Sequence, residues 1–451
     1  MPFRSGAIGY SRFSVTGDVV AAPDESLFTA MGEHLVRPPS IGEPKELASG
    51  FCTGRHVFDT AFQYDACGFG ASLLAAMRVD VAKVPSEIKR AYRAMAEDAR
   101  RGRDTDGVAA LSRASRKEAK EEAEERCRKD LADGKYRKLS MVPFLWDLPS
   151  GLLLTPAASD AHFQELKSLF DVAFGLRLDR RSAGTVALDL LSQRGRTAVL
   201  EDALPDALVD RPEGPAQDGE DGEAPAAAHF RAAGRPEVPW VQAGGEPNDF
   251  LGNVFLLWLW WHCDEREGLI ETSGATVAIM IDRLLDMECA WGVTGKQSLR
   301  GETPTKVIEA GKALQSGKWP RKLGLTVAAH GQEFRCALQG DQFAVSGLSL
   351  AKPEEENRLT PRQVLEQRID AVLTFDRILV LLYEAFLNDR FGRSWETRAG
   401  QLRAWIAAMG GRRTSSQSGT ATDGRRGKAF AEVKPVAEPH GEFATQARDA
   451  G

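Results

Sequence analysis

The 451-residue chain has few cysteines and no long apolar run. Its six cysteines lie far apart and form no C-x-x-C pair, so the sequence indicates neither a zinc site nor a redox pair, and we expect reduced thiols. The longest apolar stretch, Phe255 to Trp261, is far short of the roughly 20 residues that a membrane helix needs. No segment resembles a signal peptide. These absences predict a cytoplasmic protein without a membrane partner.

Motifs for catalysis or cofactor binding are also scarce. Gly68-x-Gly70 lacks the third glycine of a dinucleotide fingerprint, and the chain's Gly-Lys steps lack the remainder of a phosphate loop. The seven histidines show no metal-ligand spacing. His262-Cys263 beside Trp260-Trp261 is the nearest approach to a cluster, and a buried core position explains it better than a ligand pair. We predict no catalytic residue, no cofactor and no metal, although a site assembled in space leaves no sequence motif.

The elements that are present alternate between strand and helix patterns. With 43% hydrophobic and 27% charged residues, the composition is that of a globular protein, and the length allows two or three domains. The patterns predict strands at 7–16, 56–62 and 72–80, a helix at 24–36, a hairpin at 141–155 and a core helix at 160–174. We therefore expect an α+β fold of antiparallel sheets with flanking helices.

Two charged helices between residues 85 and 140 predict a projecting arm. The first begins at Pro85-Ser86-Glu87 and places Ile88, Ala91, Tyr92 and Met95 on one face. The second begins at Ser115, with a capping box closed by Glu118, and carries only small apolar residues. Residues 78–138 contain 18 basic and 13 acidic side chains, so basic charge is concentrated here. A solvated helical hairpin held by salt bridges would explain the same charges without any partner.

The remaining chain predicts a linker, a second domain and a tail. Residues 201–223 hold nine acidic residues and one arginine, which is typical of disorder, so the predicted boundaries are 1–200 for an N-terminal α+β domain and 201–246 for an acidic disordered linker. A C-terminal α+β domain is predicted for 247–392, with a short helix at 303–312, strands at 323–329, 333–338 and 343–348, and a long terminal helix that begins at Thr360. The apolar stripe of that helix packs on its own sheet or contributes to a subunit interface. We expect a mostly disordered tail at 393–451.

Several segments resemble the family of recombination-associated RdgC proteins, which are bacterial DNA-binding proteins. Residues 77–89 resemble the family's basic strand, Lys-x-x-Pro step and following helix. Leu145-Trp146-Asp147 and Gly151-Leu152-Leu153 resemble its hairpin, and Tyr136 stands where the family carries a phenylalanine near the tip of a finger. Ile308-Glu309-Ala310-Gly311-Lys312, before the first strand of the meander, is the most specific piece. The acidic linker, the aromatic segment at 258–261 and the tail depart from the family's pattern.

The resemblance implies a ring-shaped homodimer that encircles double-stranded DNA without sequence preference and restrains the RecA recombinase in the nucleoid. A basic inner surface would bind phosphates even though the chain's formal net charge is −6. The candidate DNA-binding residues are Arg78, Lys83, Lys89, Arg90, Arg93, Arg116, Lys117, Lys120, Lys135, Tyr136, Arg137, Lys138, Lys312 and Lys322, with Lys318 and Arg321 as further phosphate contacts.

Two other functions remain open at this point. A metal-dependent DNA-processing enzyme could assemble its carboxylates in space, and magnesium-dependent cleavage of plasmid DNA would distinguish it. A protein-interaction scaffold could use only the long helix and the charged arm, and an absence of DNA binding at low salt would favour it.

Overall fold

Antiparallel strands with flanking helices make up the protein, and the predicted α+β class is confirmed. A computed structural model describes residues 2–36, 47–101, 111–156, 159–213, 229–231, 233–242, 245–351 and 358–409. The chain divides into two compact units. Unit 1 comprises residues 1–6 and 10–180, and unit 2 comprises residues 7–9 and those from 181 onward.

Unit 1 contains an antiparallel sheet, a pair of core helices and the predicted arm. Its strands are β1 (Ile8–Thr16), β2 (Leu47–Cys52), β3 (Gly68–Phe69), β4 (Ser72–Ala82), β5 (Arg137–Asp147), β6 (Leu152–Thr155) and β7 (Arg177–Arg181). Its helices are α1 (Glu25–Glu33), α2 (Tyr64–Cys67), α3 (Ser86–Arg101), α4 (Arg113–Ala132) and α5 (Asp160–Phe174). The strand order is β1-β6-β5-β4-β2, with β3 on β4 and β7 on β1.

The core of unit 1 lies between one face of this sheet and helices α1 and α5. Alternate residues of β4 and β5 point into it because side chains alternate between the two faces of a strand. Phe144 and Trp146 of β5 each lie with their ring centroids 5.5 Å from that of Phe170 on α5. Asp24 caps α1, since its carboxylate accepts the backbone N–H of Leu27 at 2.9 Å.

Unit 2 is built on a second antiparallel sheet. Its strands are β8 (Leu269–Glu271), β9 (Thr276–Cys289), β10 (Lys296–Gly301), β11 (Lys318–Ala329), β12 (Gln332–Gln339) and β13 (Ala344–Leu350), in the order β10-β9-β11-β12-β13 with β8 on β9. Its helices are α6 (Ala183–Ser192), α7 (Ala198–Glu201), α8 (Pro239–Gln242), α9 (Phe250–Glu265), α10 (Ile308–Gln315), α11 (Pro361–Arg390) and α12 (Trp395–Met409), with a 3-10 turn at Pro247–Asp249.

The aromatic segment of the sequence forms the buried helix α9. Every residue from Phe250 to His262 is buried, which confirms the core interpretation of this stretch. Gly252 of α9 passes so close to Gly340 that a Cβ on Gly252 would lie 2.1 Å from the carbonyl oxygen of Gly340. Glycine is therefore required at this crossing.

The strands of the predicted meander and the long helix form as the sequence indicates. β11, β12 and β13 are joined in sequence, and α11 begins with the predicted capping box, in which Thr360 and Gln363 exchange hydrogen bonds around Pro361. Ile369, Val372, Leu379 and Leu382 are buried within unit 2, so the stripe packs within its own unit.

Other local predictions were wrong. Residues 56–62 form a loop, because the Asp59 carboxylate accepts hydrogen bonds that turn the chain. The cap of α4 is Ser112 rather than Ser115, since the Ser112 hydroxyl accepts the N–H of Ser115 at 3.1 Å. The helix expected at 303–312 lies at Ile308–Gln315, and β9, β10 and α12 were not foreseen.

Part of the predicted linker and tail lies among the described residues. The two compact units divide between residues 180 and 181. Asp206 is buried and accepts the indole N–H of Trp395 at 3.1 Å, so the first part of the linker packs on α12. Most of the acidic stretch, residues 214–228, lies outside the described residues, as does the tail from 410 onward.

Candidate nucleic-acid interface

Helices α3 and α4 form an antiparallel hairpin that connects strands β4 and β5 of unit 1. α3 follows the end of β4, and α4 leads into the start of β5, where Ala82 and Arg137 are register partners. Within the described chain, α3 and α4 pack chiefly on each other. The hairpin is therefore an arm with its root at the β4–β5 edge.

Small residues and hydrogen bonds hold the two helices of the arm together. Ala96 of α3 and Ala119 and Ala123 of α4 are buried at the seam. Arg100 of α3 binds Glu122 of α4 at 2.8 Å. The predicted stripe was partly wrong, since Ala91 is exposed and Met95 is 53% exposed. Little apolar area is buried here, so the arm depends on its polar contacts.

The charges on α4 are unevenly distributed around the helix. At about 100° per residue, one arc of about 120° carries five basic side chains and a single acidic one, Glu124. We call the five basic side chains the basic flank of α4, and all of them are exposed: Arg113, Arg116, Lys117, Lys120 and Arg128. Glu118, Glu121, Glu122 and Glu125 lie outside this arc, together with Arg126 and Lys129. Such a distribution gives the arm one cationic edge, which a salt-bridged hairpin alone does not require.

Ion pairs within the arm leave part of its positive charge unpaired. Lys117 pairs with Glu121 at 3.8 Å and Lys120 with Glu124 at 3.7 Å. Glu125 and Lys129 have the same spacing but form no ion pair in the described chain. Among the described residues from 78 to 138, the basic side chains without a carboxylate partner are Lys83, Lys89, Arg113, Arg116, Arg126, Arg128, Lys129 and Lys138. These cations are available to phosphates.

Two arginines at the root of the arm share one buried carboxylate. Arg78 of β4 binds Asp80 through two nitrogens, at 2.8 and 2.7 Å. Arg137, the first residue of β5, binds the same carboxylate at 2.6 Å. The Asp80 side chain is 3% exposed, so it neutralises only one of its two partners and the cluster keeps a net positive charge.

A second carboxylate organises the turn between α4 and β5. Asp130 accepts the Tyr92 hydroxyl at 2.5 Å and the ammonium group of Lys135 at 2.7 Å. Hydrogen bonds from Lys135 and then Tyr92 lower the pKa of Asp130, and the hydrogen bond to Asp130 raises the pKa of Tyr92. Burial raises the pKa of the neighbouring Cys127.

Tyr136 lies at the root of the arm, not at its tip. It directly precedes β5, and its φ of 59° is in the left-handed region that L-residues rarely adopt. The far end of the arm lies instead between Arg101 and Arg113, and residues 102–110 there are outside the described chain. The placement near a finger tip was therefore wrong, because the turn joins the arm to the sheet.

The structure divides the predicted DNA-binding residues into three groups. Lys83, Lys89, Arg116 and Lys138 are exposed and have no carboxylate partner within the described chain. Arg90, Arg93, Lys117 and Lys120 form exposed ion pairs within single helices, which are weak and easily exchanged for a phosphate. Arg78, Lys135 and Arg137 are bound by Asp80 and Asp130.

The candidates from the C-terminal half lie in unit 2. Lys312 is exposed on α10, and Lys322 is half-buried on β11 between Asp286 of β9 and Gln339 of β12 in the sheet register. Arg321 is bound by Glu288 at 2.6 Å and Asp341 at 3.1 Å. Lys318 donates to Ser316 at 3.5 Å.

Sequence reasoning missed three exposed features of unit 1. Arg113 and Arg128 complete the basic flank, and a helical wheel anchored on Ala119 and Ala123 would have found them. Phe58 is 68% exposed beside Arg78, and it was missed because residues 56–62 were predicted to form a strand.

The described part of the chain contains no group of three or more His, Cys, Asp or Glu side chains placed to hold a metal ion. None of its helices has the length and apolar character to cross a membrane. All six cysteines are free.

Comparison with known proteins gave no assignment. No protein-family model matches the chain, and no curated protein matches it.

Proposed function

We propose that the protein binds double-stranded DNA without sequence preference through the arm of unit 1. The observation that supports this most strongly is the basic flank of α4, a set of exposed cations on a helical hairpin whose two helices pack chiefly on each other within the described chain. Phosphate contacts of this kind supply affinity without reading sequence.

The root of the arm extends the proposed surface. Lys83 and Lys138 are exposed where β4 and β5 meet the arm, and the Arg78, Asp80 and Arg137 cluster adds net positive charge on the face of these strands opposite to Lys138. A duplex lying along the arm would meet the basic flank first and the root second. This arrangement accounts for unpaired cations that the packing of unit 1 does not use.

The wider proposal is a ring-shaped homodimer that encircles DNA in the nucleoid and restrains RecA-dependent recombination. Its support is the resemblance of residues 77–89, the β5–β6 hairpin and the Glu309-Ala310-Gly311-Lys312 segment to the RdgC family. The proposal assigns no catalytic step and no cofactor. Size and shape in solution, measured by sedimentation and small-angle scattering, test the dimer and the ring separately from DNA binding.

The test of DNA binding compares two variants of the full chain, a triple variant of the basic flank and a double variant of β10 that serves as the control. Arg116→Gln/Lys117→Gln/Lys120→Gln removes three neighbouring cations of the basic flank. Lys296→Gln/Arg300→Gln removes two cations of β10 that are 77% and 69% exposed and also paired with carboxylates. Fluorescence anisotropy with a labelled duplex of random sequence gives affinity at several salt concentrations.

The proposal predicts that the basic-flank variant binds more weakly and loses about 2 to 3 from the slope of log K against log salt. The β10 variant should bind like the wild type. Melting temperatures should stay close, because exposed substitutions usually change stability by less than about 0.5 kcal/mol. Equal binding by the two variants would contradict the proposed surface, and an absence of duplex binding by the wild type would favour a protein-interaction role.

A further inference from the structure

We infer that Phe58, with Arg78 against its ring, is a stacking platform for an unpaired nucleobase beside the root of the arm. This rests on the proposed function and adds a preference for DNA that contains unpaired bases. Of the large hydrophobic side chains in the described chain, Phe58 is the most exposed, at 68%.

The loop that carries Phe58 is held rigidly from within. Asp59 accepts the Thr53 hydroxyl and the Arg55 guanidinium, each at 2.5 Å, and the backbone N–H of Ala61 at 3.2 Å. Burial of Asp59 opposes its ionisation, but these hydrogen bonds outweigh that effect and lower its pKa to about 2. The backbone N–H of Thr53 also donates to the carbonyl of Asp59 at 2.9 Å.

This loop fixes the phenyl ring in solvent. Arg78 donates to the carbonyl of Val57 at 3.4 Å, and the N–H of Phe58 donates to the imidazole of His56 at 3.3 Å. An aromatic side chain that is exposed only because it does not fit the core would not require a loop with so many hydrogen bonds. A fixed aromatic ring loses little conformational entropy when a planar partner stacks on it.

Two guanidinium groups lie near the ring, each paired with a carboxylate, and the Arg78, Asp80 and Arg137 cluster keeps a net positive charge. The guanidinium of Arg78 lies 5.3 Å from the ring centroid, and Arg55 is 52% exposed in the same loop. Arg78 is joined through Asp80 to Arg137, which begins β5 at the root of the arm. The ring is therefore continuous with the proposed phosphate-binding surface.

These features favour a nucleobase over an apolar protein surface. Aromatic rings flanked by cations bind unpaired bases because the ring stacks on the base while the cations bind the adjacent phosphates. A protein hot spot would instead be expected at the centre of an apolar patch that is depleted of charged residues. Bases within an intact duplex are already stacked, so the ring should distinguish unpaired from paired DNA.

The experiment uses the full chain and two duplexes that differ only in a central unpaired bubble labelled with 2-aminopurine. The variants are Phe58→Leu, the conservative Phe58→Tyr, and Val172→Ser as a control that changes a 66% exposed apolar side chain of α5. The wild type should bind the bubble about tenfold more tightly than the duplex and quench 2-aminopurine. Phe58→Leu should lose both effects while keeping the duplex affinity and the salt slope, because a phenyl ring releases no counterions. Phe58→Tyr and Val172→Ser should behave like the wild type.

The outcomes separate this inference from the proposed function. Salt-dependent duplex binding with no preference for the bubble would overturn the inference alone. A bubble preference that survives Phe58→Leu would also overturn it. A Phe58→Leu variant altered only in self-association would show that the ring contacts a second protein surface, which is equally contrary to it. A wild type that binds no DNA would overturn the proposed function and this inference together.

Discussion

Tyr92 of α3 donates its hydroxyl to the carboxylate of Asp130 of α4 at 2.5 Å, and this bond joins the two helices of the arm near its root. The guanidinium of Arg126 lies 4.5 Å from the centroid of the same tyrosine ring. Lys135 binds the other oxygen of Asp130, so one carboxylate connects α3, α4 and the turn into β5. The arm has few apolar contacts, and we expect its order to depend on this connection.

Replacement of Asp130 by Asn should loosen the arm without unfolding unit 1. Because the pKa of Asp130 is lowered in the folded protein, its ionised form contributes stability above the ordinary carboxyl pKa, and that contribution is lost as the pH falls through the lowered value. Hydrogen exchange of residues 113–132 should therefore be faster in Asp130→Asn than in the wild type at neutral pH, with the difference disappearing in acid. Glu125→Gln on the same helix is the control, and equal exchange in all three proteins would contradict the role of Asp130.

The two basic residues at the start of β5 should respond differently to substitution. Arg137→Ser leaves the buried Asp80 with one partner fewer and should cost about 1 to 3 kcal/mol of unfolding free energy. Lys138→Ser removes an exposed side chain without a carboxylate partner in the described chain and should change stability by less than about 0.5 kcal/mol while weakening DNA binding. Chemical denaturation with parallel binding measurements checks this, and equal stabilities would show that Asp80 does not depend on Arg137.

His262 should make unit 2 sensitive to acid. It is buried between Trp258 and Trp261, with ring centroids at 4.2 and 4.9 Å, and neither ring nitrogen has a hydrogen-bond partner among the described residues. Burial, together with the guanidinium groups of Arg398 and Arg266, lowers the pKa of His262 to about 4, and Asp389 acts in the opposite direction.

The unfolded chain therefore binds a proton at higher pH than the folded chain, so stability rises with pH between about 4 and 6.5. The contribution of His262 over this range is about 3 kcal/mol. His262→Phe and His262→Leu should flatten the dependence, whereas His330→Asn, at an exposed histidine, should not. Denaturation curves across this pH range test the prediction, and parallel curves for the His262 variants and the wild type would refute it.

Gly311 should be required for the packing of α10 on α12. A Cβ at this position would lie 3.0 Å from the Cβ of Met409 and 3.2 Å from its carbonyl oxygen. Gly311→Ala should cost about 1 to 3 kcal/mol, because overpacking forces the two helices apart. Gly400→Ala on α12 is the matched control, since nothing lies within 4 Å of its added Cβ and alanine favours helix by about 1 kcal/mol. Thermal unfolding compares them, and a neutral Gly311→Ala would contradict the close approach.

Local sequence patterns were sufficient for the strongest elements of the fold. α5 has the predicted bounds, because Ser159 caps a regular amphipathic stretch and Gly175 ends it in a left-handed conformation. The capping box at Thr360 also formed as predicted. These signals involve residues that are neighbours along the chain, so a single sequence contains them.

Elements whose shape depends on particular side-chain contacts, rather than on a regular pattern, were not predictable in this way. The loop at 56–62 has a strand-like composition, and the carboxylate of Asp59 decides its shape through bonds to Thr53 and Arg55. Asp206 lies in an acidic stretch typical of disorder, yet Trp395 and Arg390 bind it from α12 and the end of α11. The position of Tyr136 at the root of the arm followed only from the pairing of Ala82 with Arg137.

The same distinction applies to the candidate site. The concentration of basic residues between 78 and 138 is visible in the sequence. The sequence does not show which of these residues are bound by a carboxylate. Asp80 binds Arg78 of its own strand and also Arg137 of β5, and Asp130 of α4 binds Lys135 of the following turn, so two of the three contacts join different parts of the fold. The concentration of basic side chains on one arc of α4, in contrast, follows from helical spacing and could be read from the sequence.

The most direct test of the central claim is the salt dependence of duplex binding by the full chain, measured with several unrelated sequences. If the arm and its root neutralise about six phosphates, log K should fall against log salt with a slope near −5, and this slope should be the same for every sequence. A flat salt response, or strong preference for one sequence, would contradict the account.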